Sequence, residues 1–201
     1  MPYVKEFMSQ RLILFLTSVL VMSGCGVMVT FGSFWAAAAM CVGAVLIIII
    51  EYGAHRYMLH EFPRIAPLAY QGHVAHHKSP NDVKYLFGPV YFDMWGYLGM
   101  LFLAVLVTGF DWHLSFAVVF GASGFQLYYQ WKHYISHRPI IPWTPWGKWL
   151  KKRHLLHHHL DEKTWYGVSN PILDIIMRSN RPKPSESPSS ASSNDKGMPL
   201  S

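Results

Sequence analysis

The sequence predicts an all-α integral membrane protein with four transmembrane helices in two hairpins and a cytoplasmic helical cap. Two long apolar runs, each about twice the length that crosses a bilayer, predict the hairpins. The one-sided placement of basic residues predicts the side on which the cap lies. The composition agrees, because only 14% of the 201 residues are charged, whereas soluble domains carry about 25%.

The first apolar run extends from Leu12 to Ile50 and contains 39 positions without a charged residue. One transmembrane helix needs about 20 apolar residues, so this run predicts two helices. The segment Phe31–Phe34 contains Gly32 and Ser33, which favour a turn. We therefore expect the first two transmembrane helices near residues 12–31 and 34–50.

The second apolar run extends from Met94 to Trp131 and is interrupted by Asp111 and His113. The glycine and aspartate of the segment 109–111 indicate a turn at this point. We therefore expect the third and fourth transmembrane helices near residues 94–110 and 113–131.

The basic residues predict the orientation in the membrane. All 17 Lys and Arg precede the first helix, lie between the hairpins or follow the fourth helix, and neither hairpin tip carries one. By the positive-inside rule, both termini and both large polar segments face the cytoplasm. The net charge of +6 thus fits a membrane surface, and we expect no nucleic-acid partner. We expect the run Lys148, Lys151, Lys152 and Arg153 to attract anionic head groups or an acidic electron donor.

The last 20 residues have a different composition. Residues 182–201 are rich in Ser, Pro, Asn and Lys and offer too little apolar surface to offset the entropy of ordering. The sequence therefore predicts a membrane domain over residues 1–181 and a disordered tail over residues 182–201.

Histidine is the residue type whose placement points to chemistry. Ten of the 12 histidines form four clusters on the predicted cytoplasmic side. Two clusters have the spacing HxxHH, one has HxxxxH and one has HxxxH. The clusters are His55 and His60; His73, His76 and His77; His133 and His137; and His154, His157 and His158.

The spacing of these histidines indicates metal ligands. Positions i, i+3 and i+4 share one face of an α-helix, so each HxxHH can present three imidazoles to one point. His55 and His60 lie five residues apart, about 140° around an α-helix, so they need a bend to converge or serve different metals. Ten imidazoles exceed what one metal can hold, and an all-nitrogen set suits iron, zinc or manganese. The pattern predicts two metal ions.

The remaining polar residues near the clusters have weaker signals. We expect His113 to be a hydrogen-bonded group outside the site, and His159 to be a non-ligand, although a ligand or supporting role for His159 stays open. Metal-bound histidines commonly donate their other N–H to a carboxylate, which makes Glu51 and Asp82 candidates for that role. The alternatives are that Asp82 caps a turn and that Glu51 pairs with Arg56.

These spacings and the residues around them resemble the fatty acid hydroxylase/sterol desaturase superfamily. Within it, the sequence is most similar to the fatty acid 2-hydroxylases that act on sphingolipid acyl chains. The resemblance covers about residues 45–178. The motifs that carry it are EYGAHR (51–56) with His60, HVAHHKSPND (73–82), HYISH (133–137), LKKRHLLHHH (150–159) and YGVSNP (166–171).

The resemblance implies a diiron enzyme that uses O2 to oxidise a C–H bond. The ten clustered histidines match the ligands of the two metal ions, which are iron in the active enzyme and which zinc can replace on purification. Many eukaryotic relatives carry a fused cytochrome b5 domain, and nothing in these 201 residues resembles one. We therefore expect a separate electron donor, such as cytochrome b5 or a ferredoxin.

Three functions remain open at this point. The favoured one is hydroxylation of a membrane lipid acyl chain at C2, in a lipid amide. The same oxidant could instead perform sterol-methyl oxidation, desaturation or head-group hydroxylation. A membrane metal-binding or transport protein is the non-enzyme alternative, but transport ligands should lie near the bilayer midplane, whereas these histidines lie outside the predicted helices.

Overall fold

A computed structural model of the protein describes residues 2–182, and every regular element within this range is a helix. This confirms the predicted all-helical class. The predicted disordered tail, residues 182–201, lies outside the described residues apart from Pro182. The elements are α1 (Pro2–Met8), α2 (Arg11–Thr30), α3 (Ala36–Gly53), a π-helix (Ala54–Glu61), α4 (Pro67–Lys78), α5 (Val83–Leu86), α6 (Val90–Val107), α7 (Trp112–Ser136), α8 (Pro145–His159) and α9 (Ile172–Ile176).

Three segments are long and apolar enough to cross a membrane. They are Arg11–Thr30, Ala36–Glu61 and Val83–Val107. Large apolar side chains such as Met22, Val29 and Val107 are exposed on these helices, as expected of a surface that faces lipid. The protein is therefore an integral membrane protein.

The two hairpin turns lie where the sequence places them. The first separates α2, which ends at Thr30, from α3, which begins at Ala36. The second separates α6 from α7, and Gly109 adopts φ 66° there, a backbone conformation that glycine adopts without steric cost.

Helix α7 is the central helix of the bundle, and it packs against α2, α3 and α6. It is also more polar than its neighbours, with Gln126 and Gln130 both buried. A helix that is surrounded by other helices can carry such side chains, because they meet protein rather than lipid.

Two glycines allow α3 and α7 to approach closely. A Cβ atom at Gly43 would lie 2.0 Å from the carbonyl oxygen of Val118, and one at Gly121 would lie 2.0 Å from that of Met40. The contact is therefore between backbones, as at other small-residue interfaces of membrane helices. It fixes α7, and with it His133 near the end of α7, relative to α3.

Only part of the basic run of α8 faces solvent. The Lys151 ammonium donates hydrogen bonds to the carbonyls of Ile135, Arg138 and Ile140 at 2.9, 2.7 and 2.9 Å. Such a cation stabilises the C-terminal end of a helix, here α7. Arg153 is buried and therefore does not face solvent. Of the four basic residues in this run, Lys148 and Lys152 are exposed to solvent.

We expect Gly121→Ala to destabilise the protein by about 1–3 kcal/mol, the usual range for overpacking. The added methyl group would meet backbone atoms of α3 that cannot move independently. The measurement is the thermal unfolding midpoint in detergent micelles. Gly124→Ala is the matched control on the same helix, because its Cβ would meet only Leu20 Cδ1 at 3.6 Å. Equal midpoints for the two variants would contradict the close approach.

Candidate metal centre

The ten clustered histidines lie in two groups of five. Within each group, one nitrogen of every ring lies within 4.8 Å of the corresponding nitrogens of the others. The first group is contributed by the π-helix, α4 and α8, and the second by α4, the end of α7 and α8. The first group consists of His55, His60, His73, His77 and His157, and the second consists of His76, His133, His137, His154 and His158.

Each HxxHH motif is divided between the two groups. In α4, His73 and His77 belong to the first group and His76 belongs to the second. In α8, His154 and His158 belong to the second group and His157 belongs to the first. The three histidines of each motif therefore do not converge on one point, although their spacing allows it. Adjacent residues on an α-helix point about 100° apart, so His76 and His77 face opposite sides of the boundary between the groups.

The π-helix explains the spacing of His55 and His60. Its hydrogen bonds join residues five apart instead of four, which brings positions i and i+5 onto one side of the helix. The two ring centroids are 5.2 Å apart, and both rings belong to the first group. Of the two possibilities that the sequence leaves open, the structure shows convergence through a local change of helix type.

The ring nitrogens face one another at short distances. The Nε2 atom of His73 lies 2.9 Å from that of His60 and 3.0 Å from that of His77. In the second group, Nε2 of His133 lies 3.1 Å from that of His76. A neutral imidazole carries one N–H, so hydrogen bonds within the groups cannot satisfy all of these nitrogens.

Several buried nitrogens have no partner within the described residues. They include Nε2 of His55, Nε2 of His157 and both ring nitrogens of His158. A buried polar atom without a partner costs about 1–3 kcal/mol. A metal ion in each group would accept one lone pair from each ring, so the residues present fit two metal ions.

Burial lowers the pKa of four grouped histidines that lie outside the transmembrane segments, which favours their neutral form. Burial is the largest cause that lowers the pKa of His77 to about 4 and that of His137 to about 2. Burial also holds the pKa of His154 and of His157 well below the usual value, and neighbouring histidines add to the effect. Neutral imidazole is the form that binds a metal.

Two histidines of the first group are oriented by backbone carbonyls. His55 donates its Nδ1–H to the carbonyl of Tyr166 at 2.6 Å, and His157 donates its Nδ1–H to the carbonyl of Thr164 at 2.7 Å. Each hydrogen bond leaves Nε2 as the atom with a free lone pair, as in many metal sites. Sequence reasoning missed these partners because a backbone carbonyl has no signature in the sequence.

The two carboxylates proposed for this role lie elsewhere. Asp82 is exposed and accepts a hydrogen bond from the backbone N–H of Lys84 at 3.0 Å, which caps α5. This agrees with the alternative that Asp82 is a capping residue and does not support a histidine. Arg56 forms a salt bridge with Glu61, in which Nε and Oε1 are 2.7 Å apart. Arg56 therefore does not form the salt bridge with Glu51 that the sequence offers as an alternative.

Glu51 acts on the loop that follows α8. It is buried and accepts hydrogen bonds from the backbone N–H groups of Val168 and Ser169 at 2.7 and 2.8 Å, and from the Ser169 hydroxyl. Because this loop also contains Tyr166, Glu51 supports the site through the loop and not by contact with a histidine.

The two remaining histidines lie outside both groups. His159 is exposed. His113 lies at the opposite end of the bundle, where its Nδ1 atom is 3.2 Å from the Thr30 hydroxyl and 3.1 Å from the Val27 carbonyl.

A cavity of about 740 Å³ adjoins both groups. Its wall includes His55 and His73 of the first group and His76 and His133 of the second, and much of the rest is apolar.

One part of the cavity wall is polar. The Tyr97 hydroxyl donates to Gln126 at 2.8 Å, and the Gln126 amide donates to the Asp93 carboxylate. All three side chains line the cavity. An acidic residue within a transmembrane helix is costly and often marks a functional site.

Comparison with known proteins identifies relatives of this chain. It is 26% identical over 149 residues to the ceramide very long chain fatty acid hydroxylase of Saccharomyces cerevisiae. The match covers 71% of this chain and 38% of that protein, so the chain spans well under half the length of this relative. The fold is shared with the hydroxylase domain visible in a structure of full-length Scs7p, with a TM-score of 0.71 and 23% identity over 85% of this chain and 65% of that one.

The sequence profile of the fatty acid hydroxylase family matches residues 40–179. This range contains all ten histidines of the two groups and the loop that orients two of them. The chain therefore belongs to the fatty acid hydroxylase family.

Proposed function

We propose that the protein is an O2-dependent diiron hydroxylase that oxidises the acyl chain of a membrane lipid at C2. The observation that carries the proposal is the pair of five-histidine groups beside a largely apolar cavity. Family membership supports a lipid as the substrate.

The ten histidines would hold one iron ion in each group. Bound iron would supply the O2-dependent oxidation of a C–H bond, which protein side chains cannot perform. Zinc suits the same imidazole ligands, so purified protein could contain it in place of iron. The electrons would come from a separate donor protein.

The chain itself would bind and orient the lipid. The apolar wall of the cavity, with Ile47, Leu86 and Met100 among its residues, would hold an acyl chain and exclude water from the histidines. The carbonyls of Thr164 and Tyr166 would keep His157 and His55 in their binding orientation.

The position of the groups supports oxidation close to the head group. Four of the ten histidines lie at or just beyond the ends of α3 and α7, where the polar segments begin, and the other six lie in α4 and α8. An acyl chain that lies in the membrane has its carboxyl or amide end near this level, whereas mid-chain carbons lie deeper by roughly half of the bilayer's hydrocarbon core. C2 is thus the carbon that could best reach the metal ions.

The polar part of the cavity supports a lipid amide over a free fatty acid. The Asp93 carboxylate would accept a hydrogen bond from an amide N–H or a hydroxyl group. It would repel the carboxylate of a free fatty acid in a cavity of low polarity. The name of the yeast relative, a ceramide fatty acid hydroxylase, is consistent with an N-acylated lipid.

We also propose that α7 is the fourth transmembrane helix and that both termini and the histidines face the cytoplasm. The absence of Lys and Arg from both hairpin tips supports this orientation. Reporter fusions at Gly32 and Asp111 should then give an external signal, and fusions at Lys84 and Arg181 should give a cytoplasmic one. An external signal at Lys84 would contradict the proposed topology.

We expect the purified wild-type protein to contain two metal ions per chain. His157→Ala should lower this content and abolish turnover, because His157 is a buried member of the first group. Metal analysis by mass spectrometry makes the measurement. His113→Ala is the control and should leave the content unchanged. One ion per wild-type chain, or full activity of His157→Ala, would reject the assignment.

The reaction can be identified with labelled oxygen. The protein would be expressed with an electron-transfer system under 18O2, and the lipid acyl chains analysed by mass spectrometry. We expect one 18O atom at C2 with the wild-type protein and none with His76→Ala. A new double bond, an oxidised sterol or a labelled head group would reject C2 hydroxylation and favour another lipid oxidation.

A further inference from the structure

In the segment Glu162–Tyr166, every second residue lies against a histidine of the first group. The carbonyls of Thr164 and Tyr166 accept hydrogen bonds from His157 and His55, and the Glu162 carboxylate lies 3.9 Å from Nδ1 of His77. Trp165, between the two carbonyls, is buried and adopts φ 56°. A bulky residue is rarely found in this left-handed conformation, so contacts elsewhere must hold the segment in place.

Asp174 makes most of these contacts. Its side chain is fully buried and accepts hydrogen bonds from the backbone N–H groups of Tyr166 and Gly167, both at 2.9 Å. It also accepts from the Ser179 hydroxyl at 2.7 Å and from the Arg153 guanidinium at 3.0 Å. One carboxylate therefore joins the segment to both α8 and α9.

The turn after Tyr166 is closely packed and leaves no space for a side chain at Gly167. A Cβ atom at Gly167 would lie 2.2 Å from the Asn170 carbonyl oxygen and 3.0 Å from Oδ2 of Asp174. The Trp165 N–H donates to the Ser179 carbonyl at 2.8 Å. The carbonyls that bind His55 and His157 are thus fixed from the side opposite to the histidines.

The second histidine group has no equivalent support in the structure. Within residues 2–182, the Nδ1 atoms of His76, His154 and His158 are buried and have no hydrogen-bond partner. No hydrogen bond to the surrounding protein therefore orients these three rings through Nδ1, whereas His55 and His157 are oriented in this way by backbone carbonyls.

We propose that Asp174 is a positioning residue for the first histidine group alone, and that the two groups therefore hold their metal ions unequally. Asp174 touches no histidine and acts through the carbonyls of Thr164 and Tyr166. This inference rests on the proposed binding of a metal ion by each group, but it does not depend on the lipid that is oxidised.

The test is zinc binding by the full chain in detergent, with the metal removed beforehand and a competing chelator present. His154→Ala disables the second group and His157→Ala disables the first, so each variant should keep one site. We expect Asp174→Asn to lower the zinc affinity of the His154→Ala protein by about 10–100-fold, the usual effect of losing a partner that orients a ligand. In the His157→Ala protein, Asp174→Asn should leave the affinity unchanged.

The controls separate positioning from general stability. Ser115→Ala removes a fully buried hydroxyl at the other end of α7, and it should change neither affinity. If Asp174→Asn does not fold, as judged by circular dichroism, Ser179→Ala in the same two proteins decides the question. It removes one of the hydrogen bonds to Asp174 and should lower only the affinity of the first group.

Equal effects in both proteins, or no effect in either, would overturn the positioning role. A wild-type protein that binds no zinc at all would instead reject the proposed metal centre. The two failures are therefore distinguishable.

Discussion

Ten imidazole rings face one another at the end of the transmembrane bundle, and most of the structure can be understood from what it takes to hold them there. Burial lowers the pKa of His154 and His157 and so favours their neutral form, and several buried ring nitrogens of the ten have no partner within the described residues. Metal binding would offset that cost, but only if the rings are already in place. The rigidity of the surrounding helices therefore matters as much as the identity of the ligands.

The bundle provides this rigidity by means of contacts that lie far from the histidines in the sequence. The reciprocal glycines Gly43 and Gly121 set the distance between α3 and α7. Lys151 of α8 donates to carbonyls at the end of α7 and so joins two of the three helices that contribute the second group. Asp174 joins α8 to the loop that faces the first group.

Much of this arrangement could be predicted from local sequence patterns. The apolar runs predict both hairpins and their turns because hydrophobicity and glycine act locally. Eight of the ten histidines were recognisable because the spacings i, i+3, i+4 and i, i+4 place them on a common helix face. The division of each HxxHH motif was not, because it depends on α4 and α8 being placed between the two groups, which spacing within one helix does not specify.

The supporting residues were the least predictable. Asp82 is next to a histidine motif in the sequence but caps α5, whereas Asp174 lies 16 positions beyond His158 and fixes the loop that orients His55 and His157. Burial of Arg153 and Asp174 depends on how α8 and α9 pack, so their partnership has no local signature.

The two histidine groups should bind two separate metal ions. Anomalous X-ray diffraction at the iron absorption edge, from crystals of iron-loaded protein, tests it most directly. If each group binds its own ion, we expect two peaks per chain, one enclosed by the first histidine group, which contains His73, and the other by the second, which contains His76. A single peak between the groups, or peaks at other residues, would contradict it.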